Sequence, residues 1–342
     1  MAKVNARSPI GARNRKRREE KISLTLDAYF EGWIQRRRAI AEKQATPYRY
    51  NSWYQNHLRQ PLGGKKLEDI QVRDIHELQR DMASQGYHPN TVNYTIQILR
   101  LILNDAVREE LLERNPARSI RPLRYTGVTA AQTKHRALTV EEQKLFLTAA
   151  KRSFYYEFFA FLLLTGMRHG EAATITWDDV DYEQNVLHVT KSLTFDGEGH
   201  VVIGGPKTVA GIPDIPMNSE IRKVLEMQLK KGLNSLQVDR MPEGHRIFYP
   251  QTFPDHVLHN ATANNALHRV QEDMEERGEL SERFSLHALR DTFATRFIEQ
   301  GGTPQTLKTI LGHQKLAMTM DLYSHVLPNT KQMEMDKFVI GV

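Results

Sequence analysis

A chain of 342 residues, 40% hydrophobic and 26% charged, is long for a single core and fits two domains with short appendages. It contains no cysteine, which excludes a disulfide framework, cysteine-ligated zinc and thiol catalysis, and suits a reducing, cytoplasmic compartment. No apolar run approaches the ~20 residues needed to span a bilayer, and the basic N-terminus lacks the apolar core of a signal peptide, so a soluble protein without a membrane partner is expected. Residues 1–21 hold eight Lys/Arg against two Glu, so this tail carries the whole net charge of +6. Such a block is either solvated or a nucleic-acid-binding arm.

Residues 22–118 read as a helical domain. In LTLDAYFEGWIQRRRAI the apolar residues Leu26, Tyr29, Phe30, Trp33 and Ile34 fall on one helical face. Thr46-Pro47 is read as a cap and first-turn proline opening a second helix, which PLGGKK interrupts. VRDIHELQRDMASQG resumes the helical pattern, and Pro89-Asn90-Thr91 opens a long helix with Val92, Ile96, Leu99, Leu103 and Val107 on one stripe. The polar faces of this bundle show Tyr48, Arg49, Asn51, Thr91, Asn93 and Arg100, a mix suited to phosphates and base edges as well as to plain solvent.

Residues 119–136 have no sustained period and read as a linker. A second domain, 137–342, opens with a helix capped by Thr139 with Glu141-Glu142 in its first turn, followed by the apolar helix FYYEFFAFLLL, which ends near Thr165-Gly166. NVLHVT and HVVIGGPKTVAGIPDIPM then predict two or three short antiparallel strands, after which the pattern is helical again. The acidic run Asp178, Asp179, Asp181 and Glu183 predicts a polar turn rather than a metal site.

Four stretches concentrate polar groups that a core does not need. In TGMRHGE, Arg168 follows the end of a very apolar helix, where a half-buried guanidinium needs an anion, several carbonyls, or a salt bridge to Glu171. Lys207 lies in GGPKT between two expected strands, without P-loop spacing. In SLHALRDTFATRF, Leu286, Leu289, Phe293 and Phe297 share one helical face while His287 and Arg290, three apart, share another. In LGHQKLAMTMDLYSHV, Gly312 ends a short helix begun at Thr303-Pro304, His313 follows the corner, and Tyr323 falls off the apolar stripe of the next helix. None of these has the spacing of a metal-binding motif.

Taken in order over about 155 positions, Arg168, Lys207, His287-x-x-Arg290, His313 and Tyr323 resemble the tyrosine recombinase, or phage integrase, family, with the 165–181 stretch leaning toward integrases of mobile elements. The resemblance covers residues 138–330, and 24–118 looks like the family's core-binding domain. It implies an α+β, mainly α fold: a helical-bundle core-binding domain, then a mixed catalytic domain with a small antiparallel sheet. It implies metal-free cutting and rejoining of double-stranded DNA at specific sites by a homo-tetramer, without cofactor, and leaves room for an accessory DNA-bending or excision factor. By resemblance, Tyr323 is the nucleophile, Arg168 and Arg290 clamp the scissile phosphate, Lys207 protonates the leaving 5′ oxygen, His287 assists proton transfer and His313 hydrogen-bonds the phosphate.

The sequence departs from the family at Ala288 and Asp291, where many members carry Asp and His; neither position is catalytic in the family. With some twenty basic residues before the helical segment, arm-site binding by a folded domain is not expected. The C-terminal FVIGV is expected to pack on a neighbouring protomer. Alternatives are a Xer-like chromosome-dimer resolvase, a type IB topoisomerase and a DNA-binding protein without catalysis.

Overall fold

The computed structural model describes residues 24–124, 136–205, 214–313 and Leu316. The basic tail, most of the linker, Lys207, Tyr323 and the C-terminal segment lie outside the described residues. The described residues fall into two compact units, one of residues 24–124 together with Phe195–His200, the other of the remaining described residues.

The first unit begins with α1 (Leu26–Ile40), whose N-cap Thr25 accepts a hydrogen bond from the Ala28 amide. All five stripe residues of α1 are buried. They pack on α2 (Ala45–Trp53), the wider π-turn run Tyr54–Gly63 that continues it, α3 (Val72–Ser84) and α4 (Pro89–Arg108) in one apolar cluster. A carboxylate ties two of these helices together: Asp105 on α4 accepts hydrogen bonds from Trp33 Nε1 at 2.8 Å and from Arg37, both on α1, and from Arg108 at 3.0 Å. These donors hold the Asp105 carboxyl below its usual range against the cost of burial.

One expectation for this unit needs correction. Thr46 does not cap α2: the helix starts at Ala45, and the Gln44 side chain turns back to the carbonyls of Arg38 and Ala41 instead. PLGGKK ends the helix as expected, at Gly63, although Pro61 itself is absorbed inside the π-turn run. The wider turns accommodate a residue without an N–H, and the chain leaves the helix only at Gly64.

In the second unit, Thr139 and Glu142 form the expected capping box of α5 (Val140–Ala150). The central α6 (Tyr156–Thr165) is apolar on nearly every side, which suits a helix surrounded by others. It packs against α8 (Ser219–Leu236) and α10 (Leu286–Glu299). Its one buried acid, Glu157, is paired with Lys231 of α8, whose Nζ also donates to the Phe154 carbonyl at 2.7 Å.

After the short α7 (His169–Ala172) come five short strands among the described residues, more than the two or three expected. They are β1 (Val180–Asp181), β2 (Val186–His188), β3 (Ser192–Phe195), β4 (Val201–Gly204) and β5 (Asp214–Pro216). Strands β1, β2 and β5 form one antiparallel sheet with β2 central, pairing Val180 with Leu187 and Leu187 with Ile215; β3 and β4 form a separate pair. The missed strands β1 and β3 hold two and four residues, too few to show alternation. The acidic run is the polar turn foreseen: Asp179 accepts from the Thr176 amide and hydroxyl, Asp178 from the Gly244 amide and Asp181 from the Gln184 amide. Helices α9 (Asn260–Glu276), α10 and α11 (Pro304–Leu311) complete the described part.

Gly166 ends α6 in the left-handed conformation (φ 65°), and a Cβ there would overlap the Phe293 ring. Gly166→Ala therefore combines left-handed strain with a clash at the α6–α10 contact. Its expected cost, read by urea denaturation, is about 2–4 kcal/mol, against about 1–2 kcal/mol for Gly278→Ala, which shares the left-handed strain but faces open space.

Candidate active site

Arg290 is the fixed point of the site. It rises from α10 into the core and is 3% exposed, yet carries a guanidinium, so its donors must find acceptors. Nη1 donates to the Gly166 carbonyl at 2.7 Å and Nη2 to the Leu311 carbonyl at 2.6 Å. Both acceptors lie at helix ends, where carbonyls lack intrahelical partners: Gly166 caps α6, and Leu311 is the last residue of α11. Nη2 also lies 3.0 Å from His313 Nε2. Burial, reinforced by the nearby charge of Arg168, pulls the Arg290 pKa down to about 10, which leaves it charged at neutral pH.

His313 is positioned by the corner foreseen in the sequence. Gly312 takes φ 61° at the end of α11, and the His313 amide closes back on the Lys308 carbonyl at 3.0 Å. Burial, then Arg290, Arg168 and His287, drive its pKa down to about 4. The ring is thus neutral near pH 7, with Nε2 accepting from Arg290 and the proton on Nδ1.

Arg168 precedes α7 and is about one-third exposed. Its Nη1 contacts Glu171 Oε1 at 2.8 Å, while its backbone amide donates to Glu171 Oε2 at 2.9 Å. The salt bridge to Glu171 that the spacing allows is therefore present. It also holds the guanidinium in one place, since Glu171 grips Arg168 at both side chain and backbone. His287 is more exposed, with Nε2 at 3.7 Å from Asp291 Oδ1. Arg168, His287, Arg290 and His313 thus come from three separate segments and are electrostatically coupled. Lys207 and Tyr323 lie outside the described residues.

The six residues expected on DNA-facing surfaces of the first unit divide. Arg49 is exposed, and Tyr48, Asn51 and Thr91 are half-buried. Asn93 is engaged with the chain itself: its Oδ1 accepts from the Leu123 amide at 2.7 Å and its Nδ2 donates to the Leu123 carbonyl at 3.0 Å. Arg100 likewise spans to the carbonyls of Ala117 and Ile120, each at 3.1 Å, pinning the 3₁₀ turn Pro116–Ser119. Both side chains are occupied because the segment after α4 returns along its polar face, which periodicity alone does not reveal. The backbone acceptors Gly166 and Leu311 were equally invisible in the sequence, whereas Glu171 at three residues from Arg168 was signalled by spacing.

Comparison with known proteins agrees with this geometry. Residues 136–330 match the phage integrase family, and residues 26–121 match the phage integrase SAM-like domain. The tyrosine recombinase XerC-like protein of Caldanaerobacter subterraneus subsp. tengcongensis is 26% identical over 326 residues, covering 90% of this chain and 81% of that protein. The transposase from transposon Tn916 of Enterococcus faecalis is 26% identical over 286 residues, covering 81% of this chain and 68% of that protein. In fold, the chain is similar to the Tn1549 transposon integrase in complex with a circular intermediate DNA, with TM-score 0.76, 22% identity, and coverage of 93% of this chain and 100% of that one. The chain belongs to the phage integrase family, as a tyrosine recombinase of the mobile-element integrase type.

Proposed function

We propose that the chain cuts and rejoins double-stranded DNA through a covalent 3′-phosphotyrosine on Tyr323, integrating and excising a mobile element. The observation that carries this reading is the convergence of Arg290, Arg168 and His313, two cations and a neutral donor placed to hold one phosphate. A phosphodiester under attack gains charge on its non-bridging oxygens, and preorganised guanidiniums stabilise that charge without metal or nucleotide. Arg290 is suited to this because backbone carbonyls fix its plane, and Arg168 because Glu171 fixes it in turn.

Tyr323 supplies the nucleophile. Its hydroxyl, with an ordinary pKa of ~10, needs a base and nearby positive charge to attack at neutral pH. His287 takes that proton, Lys207 gives one to the departing 5′ oxygen, and His313 donates through Nδ1 to the phosphate. The phosphotyrosine conserves the bond, so a 5′-hydroxyl from another strand can religate it. We assign the DNA contacts of the first unit to Tyr48, Arg49, Asn51 and Thr91, and the working assembly to a homo-tetramer on DNA in the cytoplasm. Among the described residues no helix is long and apolar enough to cross a membrane.

A nicked suicide duplex carrying the element's end traps the covalent step. Wild type is expected to form a protein–DNA adduct on denaturing gels that Tyr323→Phe abolishes, and Arg168→Ala to slow its formation about 10²–10³-fold, as for loss of an anion-stabilising donor. An adduct that survives Tyr323→Phe would refute the assignment.

His313 sets a pH dependence of stability. Its folded pKa of about 4 lies below the ~6.5 of an unfolded histidine, so the unfolded chain binds the proton more readily. This group's contribution is therefore fully present above pH ~6.5 and is lost as pH falls toward about 4. Urea midpoints measured from pH 7.5 to pH 4.5 should fall more steeply for wild type than for His313→Gln, which cannot titrate. Parallel slopes would contradict a buried neutral ring.

A further inference from the structure

One charged side chain beside the arginines has no task in the proposed reaction. Asp291, next to Arg290 on α10, is 4% exposed. A carboxylate is buried at a cost unless a cation or a proton compensates it. Its neighbour one helical turn back is His287, on the same face, with Nε2 at 3.7 Å from Oδ1. The two differ in exposure: the Asp291 side chain is 6% exposed and that of His287 52%. The carboxylate is thus the fixed end of the pair, and the imidazole is the end that reaches the surface. Around them stand Arg290, Arg168 with its partner Glu171, and His313. Three of these are positive or proton-donating, so another positive charge forming on His287 would meet repulsion there.

We propose that Asp291 is a positioning residue that holds His287 through Nε2 and balances the charge the ring gains on taking the Tyr323 proton. The inference rests on the reaction proposed above and assigns its proton path. The Tyr323 O–H bond breaks as its oxygen bonds phosphorus, and the proton passes to Nδ1 of His287. The P–O5′ bond breaks, and the 5′ oxygen takes a proton from Lys207. In religation the same protons return.

The test is a double-mutant cycle on the full chain, following single-turnover adduct formation on the suicide duplex from pH 6 to 9. Asp291→Asn is expected to slow adduct formation about 10-fold, part of the ~10²–10⁴-fold that a positioned base contributes. It should also change the pH profile. In a His287→Ala background the same change should have no further effect, because Asp291 acts through that ring. An unchanged rate in Asp291→Asn, or an equal loss with and without His287, would overturn the proposal. If Asp291→Asn loses the wild-type thermal transition, Asp291→Glu and Asp291→Ser replace it; Glu should be the faster, and a Glu variant no faster than Ser overturns the assignment. Absence of any adduct with wild type would instead overturn the recombinase reading on which this inference rests.

Discussion

The site depends on satisfying one buried guanidinium. Arg290 sits in the core of its unit, where an unpaired donor is costly, and two helix ends supply carbonyls with no intrahelical partners. The same hydrogen bonds therefore settle the arginine and the ends of α6 and α11. Gly166 is required at one end because only a residue without Cβ both takes φ 65° and clears Phe293. Gly312 does the equivalent at the other, turning the chain so that His313 faces Arg290. The geometry of the candidate site and the ends of two helices are here one problem with one solution.

That arrangement shapes the electrostatics. Burial and the charge of Arg168 hold Arg290 below its ordinary pKa, and His313 is held neutral beside them. Two carboxylates stand against the two guanidiniums, Glu171 on Arg168 and Asp291 beside Arg290 and His287. In the proposed reaction, guanidiniums fixed before the phosphodiester arrives would stabilise the charge that develops in the transition state without reorganising.

Much of this was legible in the chain. The stripe of α1, the capping box of α5, the all-round apolar α6 and the corner at Gly312 each follow from local spacing, and each stands as read. Local reading failed where a distant segment decided the outcome. The start of α2 is a local exception: Gln44 bonds back to the nearby carbonyls of Ala41 and Arg38, and Thr46 lies inside the helix rather than capping it. Asn93 and Arg100 look like surface polar residues until Leu123, Ala117 and Ile120 fold back onto them.

By itself, the sequence determined the two helical patterns, the family and the identity of the charged residues, because periodicity and motif order are properties of neighbours along the chain. Tertiary structure alone decided how those charges are held. Whether Arg168 is paired, whether Arg290 is buried, and which state His313 adopts depend on carbonyls and carboxylates that meet only after folding. Residues 124 positions apart, Gly166 and Arg290, share a hydrogen bond that no local pattern encodes. Burial turns that contact into a constraint, since a guanidinium removed from water has to be satisfied where it lies.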